Sequence, residues 1–448
     1  MPTTSLTFES VLILKAAPPR RVSARAYRAI LIVIGIVLIF ALALVKSNVW
    51  AHFWASPVIL IYTILVTTFE LSRVVGAIFY TEVTSRAVPN AATGTIPYEP
   101  SVSFVIPCKN EGPAIEKTVR KCFEADYPAH LLEVIVINDG STDNTGAVLE
   151  SLIPKYPKLT VVHWVVNRGK RHGMAEGFKR ANGEIIVQLD SDSYIEPSTF
   201  REIIAPFQDP SIGAVCAHAD PENADQNFLT RMQAAYYFMS FRILKAAESA
   251  FFNVFCCSGC SSAYRKSVVL PIIDTWLAET FLGLPVTWGD DRALTNWVLR
   301  QGSRTIYTDR AQAYTICPDN LKQLLTQQVR WKKGWFVNSI FASKFIWKIE
   351  PFIAFTYFFP LILITLVTPF MATKALLYNP AVHGTLPVFY IAGVFLMASI
   401  ITVYYRYVER NNKYWPYVFA WSALNMVILS FVLFYAIFTI QNRKWGTR

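Results

Sequence analysis

Long unbroken apolar runs stand at both ends of this chain, and between them apolar residues come in short bursts. The first run covers Ala29 to Val45 and the second about Ala55 to Phe79, with Glu70 and Arg73 near its end. Three more follow late in the chain: Pro351 to Ala372, Leu386 to Tyr405 and Pro416 to Ile440. Each is long enough to cross, with some tilt, a hydrocarbon layer of roughly 30 Å. The first begins late and lacks a small-residue cleavage site, so it is expected to stay as a membrane helix.

From Ser101 to about Pro318 the pattern predicts a different material. Bursts at Ser103 to Ile106, Glu133 to Ile137, Leu159 to Val166, Ile185 to Leu189 and Ala214 to Ala217 suit buried strands. Helical stretches at Ala114 to Glu124 and Thr145 to Leu152 lie between the early ones. This alternation predicts an α/β unit with a mainly parallel sheet. Asp319 to Ile349 then mixes Lys332, Lys333, Lys344 and Lys348 with Trp331, Trp335, Phe341 and Trp347. That mixture suits helices lying in a membrane interface. The expected organisation is a cytosolic tail (1–28), two transmembrane helices (29–80), a cytosolic α/β domain (81–318), interface helices (319–350), transmembrane or re-entrant helices (351–440) and a terminal segment (441–448).

Charge sets the orientation. Lys15, Arg20, Arg21, Arg25 and Arg28 place the N-terminus in the cytoplasm, and two crossings return the chain there at Thr81. Five full crossings would leave the C-terminus outside, yet Arg443, Lys444 and Arg448 argue for an inside end. One of the last three apolar segments is therefore expected to be re-entrant or interfacial, and the pattern does not say which.

Composition narrows the class. With 53% hydrophobic residues the chain is too apolar for an ordinary soluble enzyme. The 42 basic and 31 acidic residues give a net charge of +11, but no basic run with interleaved aromatics suggests nucleic acid. Phosphate-bearing substrates and membrane surface are the expected partners of that charge. Seven cysteines match no disulfide framework. The lone pair Cys257 and Cys260 lacks the further ligands of a zinc site, so buried reduced thiols are expected.

Candidate chemistry gathers at strand ends, where ligands bind in such sheets. Asp190 and Asp192 follow the Ile185 to Leu189 burst. Alternate residues of an extended chain share a face, so both carboxylates can reach one Mg²⁺ or Mn²⁺ whose shell substrate phosphates complete. A solvated acidic loop would also account for them. Asp139, in Asn138-Asp139-Gly140-Ser141-Thr142-Asp143, can accept hydrogen bonds from a base or ribose, or serve turn chemistry. Pro107, Lys109 and Glu111 end the first strand in the same way. Lys170 and Arg171 can neutralise a diphosphate, or form a solvated turn. Asp290 and Asp291 either cap a helix before Arg292 or supply a general base. Gln327, Arg330 and Trp331 share one helical face by their i, i+3, i+4 spacing.

With these motifs on the page, the chain resembles the family 2 inverting glycosyltransferases of the processive, membrane-embedded kind, among them hyaluronan and chitin synthases. NDGSTDNT, DSD, SGCSSAYR, WGDDR, QVRW and the terminal WGTR carry the resemblance, over roughly Phe104 to Arg448. It implies a GT-A-like fold, UDP bound at Asp139 and Asp190, and a metal ion between Asp192 and the diphosphate. It further implies Asp291 as the base that deprotonates an acceptor hydroxyl, with Asp290 beside it. Gln327, Arg330 and Trp331 would meet the acceptor end and the diphosphate, and Trp445 and Arg448 would close over the nucleotide. Cys256 corresponds to the cysteine common before the Ser-Gly motif. Where the family usually has Ser-Gly-Pro this chain has Ser258-Gly259-Cys260, which bears on specificity. The expected protein is a multi-pass enzyme of the plasma membrane that builds a β-linked polysaccharide from UDP-sugars and exports it. Hyaluronan, from UDP-GlcNAc and UDP-GlcA, comes first. Chitin, another β-glycan, or glycosylation of a membrane lipid without processivity are the alternatives.

Overall fold

A computed structural model describes residues 23–53, 57–87 and 98–442 of the chain. Its centre is an eight-stranded mixed sheet. The strands are β1 (Val102–Cys108), β2 (Leu132–Asp139), β3 (Leu159–Trp164), β4 (Ile185–Gln188), β5 (Tyr194–Ile195), β6 (Ile212–Pro221), β7 (Ser262–Arg265) and β10 (Arg304–Thr315), while β8 (Thr280–Phe281) and β9 (Leu284–Pro285) form a separate hairpin. The order is β3-β2-β1-β4-β7-β6-β10-β5. β3, β2, β1 and β4 are parallel neighbours, β7 runs antiparallel between β4 and β6, and β10 is parallel to β6.

Both faces of this sheet are covered, so its strands read as continuous apolar runs. All seven residues of β1 are buried, and Val105, Ile106, Val134, Ile137 and Val187 are fully so. Side chains of this kind contribute roughly 1.5–3 kcal/mol each on burial. The predicted third strand stops early: β3 ends at Trp164, and Val165 and Val166 are 97% and 69% exposed because the chain leaves the sheet. Three strands of this sheet escaped the hydrophobic pattern, the two-residue β5 among them. β7 is built from Ser262, Ala263, Tyr264 and Arg265, and β10 carries polar residues between its buried ones.

The helices of the domain are α3 (Gly112–Phe123), α4 (Thr145–Leu152), α5 (Lys170–Arg180), α6 (228–249) and α7 (Asp290–Arg300). Helix α6 contains a π-helical stretch, Met239–Lys245, whose wider turn rotates the face presented by its second half. Five helices are long and apolar enough to cross a membrane: α1 (Ala24–Phe53), α2 (Pro57–Ala87), α9 (Pro351–His383), α10 (Val388–Val408) and α11 (Tyr417–Phe438). The third apolar segment thus runs eleven residues beyond its expected end at Ala372. In place of several interface helices over 319–350 stands chiefly one long helix, α8 (Leu321–Ser343), with a short turn at Ile346–Ile349. Asn320 caps α8 by accepting from the Gln323 N–H at 3.0 Å.

The membrane-type helices are tied to the domain. Tyr80 of α2 donates to the Tyr307 carbonyl at 2.9 Å, and α1 packs along α10. The last helix, α11, stays against the domain at both ends. Trp421 stacks on Tyr236 with ring centroids 4.4 Å apart, Leu429 and Val432 cluster with Leu324, and Ile440 packs with Val286, Trp288 and Val337. Just beyond it, the Asn442 carbonyl accepts from Lys333 Nζ at 2.9 Å.

Candidate active site

A cleft of about 1390 Å³ opens beyond the carboxyl ends of β1, β2 and β4. Behind its lining residues Lys109, Glu111 and Asp139, two turns are stitched together. Asn110, in the left-handed region at φ +54°, accepts from the Thr142 N–H at 2.8 Å while its own N–H donates to Ser141 at 3.0 Å. The Glu111 N–H donates to Thr145 Oγ1 at 2.8 Å. These bonds set Pro107, Lys109 and Glu111 on the cleft wall. Asp139 also lines it, but is 3% exposed, and its two oxygens accept the N–H groups of Arg168 and Gly169 at 2.6 and 2.8 Å. The carboxylate therefore holds the Arg168-Gly169 turn against the cleft.

Lys170, first residue of α5, forms an ion pair with Asp190. Burial works against the ammonium, yet the carboxylates of Asp190, Asp290 and Asp291 outweigh it and raise the Lys170 pKa. Burial likewise opposes the Asp190 charge, but Lys170 and then Arg330 prevail and hold that carboxyl below its usual range. Asp190 and Asp192 do not lie on an extended strand as expected. The chain turns at Ser191-Asp192, with the Ser193 N–H donating to the Asp190 carbonyl at 3.0 Å. Both acids still face the same cleft. Ser193 Oγ donates to Asp192 Oδ1 at 3.0 Å. No group of three or more His, Cys, Asp or Glu side chains suited to a metal ion occurs among the described residues. Asp192 at the cleft, with Asp190 behind it, fits an ion that takes one or two carboxylates and completes its shell from phosphates and water.

Asp291, in the first turn of α7, is the most constrained acid of the cleft. Its Oδ2 accepts from the Gly259 N–H at 3.2 Å and faces Cys256 Sγ at 3.6 Å, while Oδ1 accepts from the Arg292 N–H at 2.8 Å. Burial and then the Asp291 charge push the Cys256 thiol up to about 12, so it stands as a neutral S–H donor. The Ser258-Gly259-Cys260 loop is thereby fastened to the expected base, and a Cβ on Gly259 would come 3.0 Å from Asp190 Oδ1. The capping expectation does not hold: Gly289 occupies the N-cap of α7 with no side-chain capping bond, and Asp290 and Asp291 sit in its first turn.

Asp290 goes elsewhere. It is 4% exposed and does not line the cleft; its Oδ1 lies 3.5 Å from Arg171 Nε. Burial raises its pKa to about 6 despite Arg171 and Lys170. Arg171 is 5% exposed, donates to Glu279 at 2.6 Å and to the Val286 carbonyl at 2.9 Å, and lies over the Trp276 ring. Lys170 and Arg171 both line the cleft, but the Arg171 guanidinium is engaged by Glu279 and the Val286 carbonyl.

Gln327, Arg330 and Trp331 all line the cleft from α8. Their helix approaches α7 through two glycines: Gly289 has φ +66°, and a Cβ on Gly334 would come 2.8 Å from the Gly289 Cα. Across from Trp331, α6 supplies a wall that the sequence reading missed: Tyr236, Tyr237, Ser240, Phe241 and Lys245. No acidic motif marks them, and the π-helical stretch breaks the 3.6-residue spacing that would have aligned them. Trp445 and Arg448 lie outside the described residues.

With this geometry in hand, comparison with known proteins is informative. Residues 103–270 match the family model described as glycosyl transferase family 2. The hyaluronan synthase of Streptococcus pyogenes serotype M1 is 34% identical over 365 residues, covering 79% of this chain and 84% of that protein. An N-acetylglucosaminyltransferase of Azorhizobium caulinodans is 28% identical over 396 residues, covering 86% and 96%. Among solved structures, a mannosyltransferase from Pyrobaculum calidifontis in complex with GDP-Man and Mn²⁺ superposes with a TM-score of 0.56 at 20% identity, covering 85% of this chain and 99% of that one, a likeness of fold.

Proposed function

The chain belongs to glycosyltransferase family 2, and on that premise we propose that it is a processive, inverting synthase that builds a β-linked polysaccharide from UDP-sugars and passes it through its own membrane helices. Hyaluronan is the polymer we favour. The observation that carries this reading is that Asp291 and Trp331 line one cleft together with the Lys170–Asp190 ion pair.

A sugar hydroxyl is a weak nucleophile until a positioned base takes its proton. Asp291, fixed by the Gly259 and Arg292 N–H groups, receives that proton as the hydroxyl oxygen attacks the anomeric carbon. The bond from that carbon to the UDP oxygen breaks on the opposite side, so configuration inverts and the electron pair leaves with the diphosphate. Lys170 and Arg330, both within electrostatic reach of Asp190, offset the charge that develops there. Trp331 offers the acceptor sugar a flat face. Mn²⁺ or Mg²⁺ bound at Asp192 would supply further charge neutralisation to the diphosphate.

Support for one non-crossing segment comes from α11, whose two ends both rest on the domain. Four crossings and one such helix would bring the chain at Asn442 back to the side of the cleft.

The test is to give purified protein, with Mn²⁺, UDP-GlcNAc and UDP-GlcA singly and together. A high-molecular-weight product formed only with both donors, and cut by hyaluronidase, is expected. Product from UDP-GlcNAc alone, cut by chitinase, would select the second reading, which the N-acetylglucosaminyltransferase relative favours. UDP release with no product longer than one added sugar would remove processivity.

A further inference from the structure

Two buried charges sit one residue away from groups that the transfer described above uses. Arg171 follows Lys170, and Asp290 precedes Asp291. The two chain segments meet twice. In the cleft, Gly259 stands between them: its N–H donates to Asp291 Oδ2 at 3.2 Å, and a Cβ built on it would come 3.3 Å from Lys170 Nζ. In the interior, Arg171 Nε lies 3.5 Å from Asp290 Oδ1. Both atoms are buried, and neither has a hydrogen-bond partner among the described residues. Charge compensation across that gap is therefore what the contact supplies.

Arg171 reaches further than its pair. Its other two nitrogens donate to Glu279 Oε2 at 2.6 Å and to the Val286 carbonyl at 2.9 Å, and its guanidinium lies 4.5 Å from the Trp276 ring centre. Glu279 and Val286 flank the β8–β9 hairpin, where the Val286 N–H donates to the Glu279 carbonyl at 3.0 Å. The chain runs from Val286 directly to Asp290, and Glu279 also accepts from the Trp297 indole of α7. One side chain of α5 thus engages both legs of the hairpin that leads into α7 and the first turn of α7 itself. A planar fork with fixed donors can serve three separated acceptors in this way, whereas the single nitrogen of a lysine cannot.

We propose that Arg171 is a positioning residue for the transfer: by engaging Asp290, Glu279 and the Val286 carbonyl together, it fixes the first turn of α7, and with it Asp291, against the end of α5 that carries Lys170. The assignment rests on the transferase reading above, in which Asp291 is the base, and adds to it the part that sets where the base stands. Lys170 and Asp291 belong to motifs more than a hundred residues apart. The pair one residue behind them, Arg171 with Asp290, holds those motifs in register while leaving the cleft itself open to substrate.

The test compares Arg171→Lys, Asp290→Asn and the double variant in the full-length enzyme, each well below its own melting temperature. Transfer kcat and the Kd for UDP are both measured. Each single variant is expected to lose about tenfold or more in kcat, as a misplaced reacting group does. The UDP Kd should stay within about twofold, which separates positioning from binding. The double variant should fall no further than the weaker single one, because both break one contact. A single-variant kcat within about twofold of the unmodified enzyme, or losses that multiply in the double variant, would overturn the proposal. So would a weakened UDP Kd with kcat retained, which would make Arg171 a nucleotide contact instead. Asp290→Asn keeps the side-chain shape, so its kcat decides the matter if Arg171→Lys does not fold. Undiminished transfer by Asp291→Asn would overturn the base reading itself, an outcome that the Arg171 and Asp290 variants do not produce.

Discussion

At Asp291 three separate groups converge on one carboxylate: the Gly259 N–H, the Arg292 N–H and the Cys256 thiol. Asp291→Asn keeps the shape and removes the proton acceptor. Its kcat should fall by about 10²–10⁴-fold, the usual weight of a positioned base, with the donor KM near its normal value. UDP release in single-turnover experiments measures this, and a loss of kcat under about fivefold would move the base elsewhere. Asp290, one residue earlier, shows a different dependence. Its folded pKa of about 6 lies above the ordinary carboxylate value, first because of burial, so the folded state binds its proton more tightly. The stability it contributes is complete below the unfolded pKa near 4 and is lost as pH rises through about 6. Asp290→Asn should therefore gain in melting temperature relative to the unmodified protein as pH goes from about 4 to about 6. A difference that is flat across that window would count against a buried, titrating Asp290. Adjacent identical letters in a sequence thus become one residue of the cleft and one of the interior, because the first turn of α7 points them apart.

Among the elements, the meeting of α7 and α8 decides whether the proposed base Asp291 and the proposed acceptor platform Trp331 share a cleft. Two glycines allow it, with a built Cβ on Gly334 reaching within 2.8 Å of backbone on Gly289, which cannot swing aside. Gly334→Ala should cost ~1–3 kcal/mol by overpacking and should lower kcat as Trp331 moves relative to Asp291. Thermal melting in detergent and acceptor kinetics together check it; an unchanged protein would mean the helices part without consequence. The parallel strands were legible in the sequence because burial on both faces leaves unbroken apolar runs ending at Cys108, Asp139 and Gln188. β7 and β10 were not, since an antiparallel strand of Ser-Ala-Tyr-Arg and a strand with polar interruptions carry no such run. The α6 wall of the acceptor end was hidden for a related reason: a π-helical stretch displaces Lys245 from the period that sequence reading assumes.

For the whole molecule, the arrangement of α9, α10 and α11 predicts an accessibility pattern. Lys413, in the linker before α11, pairs with Asp225 of the domain, and Gln441 follows α11 beside Lys333. Cysteines placed by Lys413→Cys and Gln441→Cys should both react with an impermeant maleimide from the side of the domain, and Thr385→Cys from the other. Native thiols leave little background, since six are buried and Cys256 is half-buried. Labelling of Lys413→Cys and Gln441→Cys from opposite sides would make α11 a simple crossing and place the terminal residues away from the cleft.

What the sequence determined by itself was what depends on neighbours along the chain. Apolar run length marked the membrane segments, strand-end acids marked the cleft, and the motifs at Asp139, Asp190, Asp291 and Arg330 pointed to the family. What only the tertiary structure decided was which of Asp290 and Asp291 faces the cleft and which helix adds the aromatic residues Tyr236, Tyr237 and Phe241 to its lining. Those outcomes follow from contacts between residues far apart in sequence, such as Cys256 with Asp291 and Tyr236 with Trp331, whose packing no local pattern records.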